Sequence, residues 1–165
     1  MTMGILEIIG IRGGLDDPKA TLAELQEFVR ARGGWAQIVD ADHVAGREHV
    51  LSAVEHARRS IDRGLGASGK FELEFLLYLS GERQISRAIE AAGVRPGRPF
   101  VMILGDGPSA EEVLERFRWT SDASLIAPGL KKLRALGFSR AEIEAAGAAA
   151  LDLPLERVAR VDLLK

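Results

Sequence analysis

Residues 99–104 read PFVMIL and give the clearest strand signal in the chain. A short, uncharged apolar run of this kind is typical of a strand buried within a sheet. The glycines and the proline of residues 105–108 then predict a turn, and Ser109 predicts the N-cap of a helix over about 110–118. A strand, a tight turn and a capped helix in succession indicate a domain that combines a sheet with helices.

Other segments of the chain extend this pattern in both directions. Residues 4–11 (GILEIIGI) and 35–41 (WAQIVDA) predict two strands, and residues 156–164 (ERVARVDLL) alternate apolar and polar side chains and predict a last one. Helices are predicted over about 18–32, 46–63, 71–79, 83–92, 128–136 and 139–150. We therefore predict a mixed α/β (α+β) fold in a single domain over residues 1–165, with a sheet of about four strands and helices packed on it.

The composition limits the classes of function. The 165 residues contain no cysteine, which excludes disulfides, thiolate metal sites and a cysteine nucleophile and predicts a cytoplasmic location. No apolar run approaches the ~18 residues of a membrane span, and residues 1–14 lack the pattern of a signal peptide. The formal net charge is −2, so bulk charge does not favour nucleic acid.

Two glycine-rich stretches could suggest a nucleotide site. Residues 64–70 (GLGASGK) match a phosphate-binding loop up to the last position, where Phe71 replaces the Ser or Thr that holds magnesium, and a predicted helix rather than a strand comes before them. Residues 105–109 follow a strand but lack the G-x-G-x-x-G spacing. We interpret both stretches as connections. His43, His49 and His56 are interpreted as capping or surface residues, so no metal, cofactor or catalytic group is predicted.

The chain does carry a local excess of positive charge. Arg58, Arg59, Arg63 and Lys70 flank the first glycine-rich stretch, and Arg83, Arg87, Arg95 and Arg98 follow Ser80 and Gly81. If the helix over 71–79 turns back at that point, both groups can face one side, together with the backbone N–H groups at the start of the helix over 83–92. The cluster predicts either an anion-binding surface or a solvated charged face.

A family resemblance bears on this choice. Residues 41–45 (ADHVA), 48–54 (EHVLSAV), 75–89 (FLLYLSGERQISRAI) and 92–94 (AGV) resemble the Cgi-type subunit of the KEOPS complex, a family called PRPK-binding protein in animals. The resemblance implies a non-catalytic regulatory subunit. Such a subunit binds and activates the small atypical kinase (ATPase) of the complex, captures the CCA end of tRNA, and reaches the rest of the complex through the kinase. The complex makes threonylcarbamoyladenosine in tRNA.

With that resemblance, residues can be assigned to two partners. The predicted tRNA backbone contacts are Arg58, Arg59, Lys70, Arg83 and Arg87, and the predicted pocket for the terminal nucleotides is Ser80, Gly81, Gln84 and Ile85. The predicted kinase surface is Leu153, Leu155, Val158, Leu163 and Leu164, which could equally belong to the core. The alternatives are a kinase-binding adaptor that never contacts RNA and a small nucleotide-binding enzyme.

Overall fold

The fold is mixed α/β, as predicted, in a computed structural model that describes residues 5–67 and 69–165. The strands are β1 (Leu6–Arg12), β2 (Trp35–Asp40), β3 (Phe100–Gly105) and β4 (Thr120–Ser121). The helices are α1 (Pro18–Arg30), α2 (Arg47–Asp62), α3 (Phe71–Ser80), α4 (Ile85–Ala92), α5 (Ala110–Phe117), α6 (Leu130–Ala135), α7 (Arg140–Ala146) and α8 (Leu153–Val161). Gly4, part of the first predicted strand, lies outside the described residues.

The chain divides into two compact units. The first consists of the chain up to Ala41 and Val94–Ile126, and the second consists of Asp42–Gly93 and Ala127–Lys165. The sheet belongs to the first unit, whereas α2, α3, α4, α6, α7 and α8 belong to the second. The single domain over residues 1–165 stays a prediction.

The sheet of the first unit is antiparallel throughout, with the strand order β2-β3-β1-β4. The central position of β3 explains why its sequence is apolar without interruption, since all six of its residues are buried. Leu25 and Val29 of α1 pack with Ile38 and Met102 on one face of the sheet. The helix α1 begins where the sequence predicts, because the Asp17 side chain accepts a hydrogen bond from the Ala20 N–H at 3.2 Å.

The second unit is built around α3. Eight of its ten residues are buried, so this predicted helix is covered on nearly all sides. The helices α2, α4 and α8 all pack against it. Gly81 ends α3 with φ of 74°, a left-handed conformation that glycine adopts without steric penalty. The predicted corner at residues 80–81 is therefore confirmed.

The predicted strand at the end of the sequence is wrong. Residues 156–164 form the end of α8 and the 3₁₀ turn Asp162–Leu164 instead of a strand. Pro154, Val158 and Val161 are buried at helical spacing, and this period outweighs the apparent alternation. The fourth strand is instead β4, whose two residues are exposed and give no apolar signal.

Among residues 5–67 and 69–165, no helix has the length and apolar character to cross a membrane.

Candidate functional site

The glycine-rich linker between α2 and α3, which the structure describes at residues 63–67 and 69–70, is held by a buried carboxylate. The side chain of Glu74 on α3 is 0% exposed. Its Oε2 accepts a hydrogen bond from the Ala67 N–H at 2.8 Å, and its Oε1 accepts one from the Ser60 hydroxyl at 3.0 Å. No local sequence pattern marks Glu74 as a buried residue.

Lys165 completes the contacts of this carboxylate. Its Nζ forms an ion pair with Glu74 Oε1 and donates a hydrogen bond to the Leu65 carbonyl at 3.0 Å. The same ammonium group lies 5.5 Å from the centre of the Tyr78 ring. One buried carboxylate thus connects α2, the linker, α3 and the segment that follows α8.

A second polar contact ties the 3₁₀ turn Asp162–Leu164 to α2 and α3. Asp162 accepts hydrogen bonds from the Tyr78 hydroxyl and, at 2.6 Å, from His56 Nδ1. Burial alone would raise the pKa of Asp162, but these two hydrogen bonds lower it below its usual value. Burial and the hydrogen bond to Asp162 both raise the pKa of Tyr78, so its hydroxyl remains a donor at neutral pH.

A cleft of about 270 Å³ opens beside the linker in the second unit. Its apolar walls come from Leu65, Leu77, Val161 and Leu164, and Glu82, Arg83 and Lys165 add charged groups. Because Glu74 already pairs with the Lys165 ammonium, Arg83 is the cation that this cleft offers beside its apolar surface, a combination suited to a small planar group attached to a negative charge. Sequence analysis singled out Arg83 but not Leu65, Leu77 or Lys165.

The other predicted cations of the linker region differ in accessibility. Arg59 and Lys70 are exposed. Arg58 is half-buried, and its guanidinium lies 5.4 Å from the centre of the Phe71 ring, an arrangement that holds the cation over an aromatic face. Arg58, Arg59 and Lys70 therefore add positive charge around the linker.

The predicted nucleotide pocket divides between interior and surface. Ser80 is buried, and its hydroxyl donates to the Leu77 carbonyl and accepts from the Glu82 N–H. Gln84 and Arg87 are exposed and Ile85 is half-buried. The helix α4 begins at Ile85, so the prediction that it starts at residue 83 is wrong, and Glu82 N–H is engaged within the chain. Ser80 consequently serves the fold.

Arg157 is a residue of this region that sequence analysis did not single out. Its Nη1 donates to the Leu136 carbonyl at 2.7 Å, and its guanidinium lies 3.9 Å from the centre of the Phe138 ring. A Cβ added at Gly81 would overlap the Cγ and Cδ of Arg157. Gly81 is thus covered by α8 and forms part of the packing. Its close approach to Arg157 joins residues 76 apart in sequence, so local patterns contain no signal for it.

Arg98 is paired within the first unit. Its Nε donates to Asp40 Oδ2 at 3.0 Å, and this carboxylate is buried. The ion pair reduces the positive charge that Arg98 can add to the cations predicted around Arg83 and Arg87.

The residues predicted to bind a kinase also differ in exposure. Val158 is fully buried, which contradicts a surface role, because it packs within the second unit at the helical spacing of Pro154 and Val161. Leu153 is half-buried against a cluster that includes Leu133, and Leu155 is half-buried beside a separate groove of about 330 Å³. Leu163 and Leu164 are 83% and 42% exposed.

One amide within the first glycine-rich stretch and one directly after the second donate to carboxylates of the chain. Glu74 accepts from Ala67 in the first, and Glu7 accepts from the Ala110 N–H at the start of α5, after the second. A bound phosphate would have to displace these negative charges, which weighs against a phosphate site at either position. Ser68 of the first stretch lies outside the described residues, among which no group of three or more His, Asp or Glu is arranged to hold a metal ion.

His49 is buried, so a surface position is wrong, whereas its contact with the Ala45 N–H before the start of α2 agrees with a capping role. Its Nδ1 accepts from the Ala45 N–H at 3.1 Å and its Nε2 donates to the Leu79 carbonyl at 3.1 Å, which fixes the neutral form. Burial, aided by the proximity of His43, lowers the pKa of His49 to about 4.

This histidine predicts a loss of stability in mild acid. The unfolded chain binds a proton at His49 below pH ~6.5, whereas the folded chain resists it down to about pH 4. The contribution is therefore complete above pH ~6.5 and declines as the pH falls. Between pH 7 and pH 5 the free energy of unfolding should drop by about 2 kcal/mol from this residue. Urea titrations at both pH values measure the drop, and His49→Gln should flatten it. An equal drop in the variant would contradict the assignment.

Comparison with known proteins bears on the family. The sequence profile described as kinase binding protein CGI-121 matches residues 20–134. This chain belongs to the CGI-121 family. Its CGI-121 match spans α1 to α6 and includes the linker, α3 and α4, whereas α7, α8 and Lys165 lie beyond it. The resemblance predicted from residues 75–89 is thereby confirmed.

A curated relative of this CGI-121 chain supports the same assignment. The chain is 32% identical over 90 residues to regulatory protein Cgi121 of Methanocaldococcus jannaschii, and the alignment covers 54% of the chain. The matched part of the chain spans 59% of the length of that relative.

Proposed function

We propose that this CGI-121 protein is a non-catalytic regulatory subunit of a KEOPS-type complex. It binds and activates a small atypical kinase and captures the CCA end of tRNA for the modification of a distant adenosine. The observation that carries the RNA part is the cleft beside the linker, where apolar walls meet Arg83. The kinase part rests on the family, described as kinase binding protein CGI-121.

The cleft supports recognition of an unpaired RNA end better than recognition of a duplex. A duplex is bound mainly through its backbone, whereas unpaired bases enter apolar pockets while cations meet their phosphates. The volume of about 270 Å³ is below the ~300–1,000 Å³ of sites that bury a drug-sized ligand, which suits one base. The net charge of −2 agrees with a small local contact rather than a broad nucleic-acid surface.

The roles of the individual residues follow from their accessibility. Arg83 and Arg87 are exposed and contact the backbone of the unpaired end, together with Arg59 and Lys70. Gln84 and Ile85 offer a polar edge and an apolar face next to these cations. Ile89, one turn beyond Ile85, is 49% exposed and extends that apolar face.

Binding to tRNA with and without the terminal CCA tests this function. Because the cleft receives the unpaired end, trimming the CCA should weaken binding by about 10-fold or more at ~0.1 M salt. Titrations of the purified protein at two salt concentrations measure both the affinity and its salt dependence. A tRNA whose CCA is paired with a complementary strand keeps the end and adds phosphate charge, so weaker binding to it cannot come from lost charge. Equal binding to all three RNAs would contradict capture of the end.

The second candidate function is a kinase-binding adaptor that never contacts RNA. The near-neutral net charge favours it, since general affinity for RNA arises from excess positive charge. Absence of salt-dependent tRNA binding, with kinase binding retained, would select the adaptor over the proposed function.

A further inference from the structure

We propose that Glu74 is a positioning residue, which holds residues 63–67 of the linker in the conformation that presents the cations of this region to RNA. The inference rests on the proposed function and adds to it a buried group that contacts no RNA. It starts from the observation that one fully buried carboxylate receives hydrogen bonds from α2, from the linker and from Lys165.

The linker needs such a fastening because its own backbone is permissive. Gly64 and Gly69 adopt φ of 72° and 73°, and glycine has many conformations to lose on ordering. Leu65 N–H donates to the Ser60 carbonyl at 2.8 Å, close to the end of α2. The bond from Ala67 N–H to Glu74, at 2.8 Å, then fixes the middle of the linker to α3.

Glu74 contributes more to the specific geometry of its surroundings than to the free energy of unfolding. It lies on a helix whose neighbouring residues, Phe75 to Leu77, are buried and apolar. A buried ion pair is worth little net stability compared with an apolar side chain of similar size, whereas it specifies a particular arrangement of its partners. Here the partners are the linker amide and Lys165, both of which border the cleft. Glu74 therefore sets the shape of the cleft wall at Leu65 and Ala67.

The substitution Glu74→Gln separates positioning from simple charge effects by the sign of the result. Removing a negative charge near a cationic surface should strengthen RNA binding through long-range electrostatics. Loss of positioning should instead weaken tRNA binding by about 3- to 10-fold, with an unchanged salt slope because no cation is removed. Glu90→Gln makes the same charge change at an exposed position of α4 and should leave affinity equal or slightly higher.

Hydrogen exchange of the Ala67 amide supplies an independent readout. In Glu74→Gln the amide nitrogen of the new side chain competes for the position of the carboxylate oxygen, so exchange at Ala67 should accelerate by about 10-fold or more. Exchange at Ala67 should not change in Glu90→Gln. Unchanged exchange or unchanged affinity in Glu74→Gln would overturn the inference.

Two further results keep this test decisive. If circular dichroism shows that Glu74→Gln does not fold, Ser60→Ala replaces it, since this neutral change removes the hydroxyl bonded to Glu74 at 3.0 Å. Faster exchange at Ala67 and weaker tRNA binding are expected again, each by about 2- to 3-fold, and no change in either overturns the inference. If the unmodified protein binds no tRNA, the proposed function fails on that measurement alone, and a faster exchange in Glu74→Gln then reports a linker anchor without an RNA role.

Discussion

Reversal of both charges in Arg83→Glu/Arg87→Glu should weaken tRNA binding by roughly 10- to 100-fold at ~0.1 M salt. Both side chains are exposed, and Arg83 lines the cleft next to the linker. Each phosphate contact on a single strand contributes about −0.7 to the slope of log affinity against log salt concentration, so losing two should flatten the slope by about 1.4. Fluorescence titrations at three salt concentrations measure the affinity and the slope together.

A matched control distinguishes local contacts from a change in net charge. Lys131 and Arg134 are exposed on α6, and the variant Lys131→Glu/Arg134→Glu changes the net charge by the same amount. It should retain most of the affinity. Equal weakening in both variants would show that overall charge governs binding, and full affinity in Arg83→Glu/Arg87→Glu would remove these arginines from the RNA contact.

Deletion of residues 153–165 should unfold the second unit. The deletion removes Val158 and Val161, both buried, and burial of an aliphatic side chain of this size is worth about 1.5–3 kcal/mol. It also removes Asp162 and Lys165, which leaves the buried Glu74 without its cation. A lone buried charge of this kind costs roughly 3–5 kcal/mol, so the total is comparable to the ~5–15 kcal/mol stability of an ordinary domain. Circular dichroism and urea titration measure the loss.

Because α8 belongs to the core, a point substitution tests the kinase surface better than this deletion does. Leu163, 83% exposed, can change to glutamate without disturbing the interior. Leu163→Glu should weaken kinase binding by about 10-fold or more if the side chain lies in the interface, as measured by calorimetry with the purified kinase. Leu130→Glu, at a residue 58% exposed on α6, provides the comparison. A chain that stays folded after deletion of residues 153–165 would contradict the role of α8 in the core. Unchanged kinase binding in Leu163→Glu would contradict the placement of Leu163 in the interface.

Local patterns predicted most of the fold and failed where distant contacts decide. The apolar run of residues 99–104, the Asp17 cap and the glycine corner at Gly81 are local signals, and each element formed as predicted. Residues 156–164 fit a strand by alternation, whereas contacts with α2 and α3 select the helical period of Val158 and Val161. Strand β4 is defined by its pairing with β1 alone.

The candidate site shows the same division. Exposed cations such as Arg83 and Arg87 are visible in composition, because a local excess of charge requires no knowledge of packing. The ion pair between Lys165 and Glu74 joins residues that are 91 apart in sequence. The packing of Arg157 against Gly81 joins residues that are 76 apart in sequence. Neither leaves a trace in local sequence. Burial of Glu74 gave no local signal either, since a carboxylate is ordinarily solvated and its cation Lys165 is distant in sequence.

The strand order β2-β3-β1-β4 has a consequence for folding of the chain during its synthesis on the ribosome. The strand β3 separates β1 from β2 in the sheet, so neither of the first two strands has a neighbour until Phe100–Gly105 has been synthesised. Pairings over such separations close slowly, whereas α2, α3 and α4 can form from local contacts. During translation the apolar segments of β1 and β2 therefore remain unpaired while dozens of further residues are added. Over that period, chaperones would protect them from association with other nascent chains.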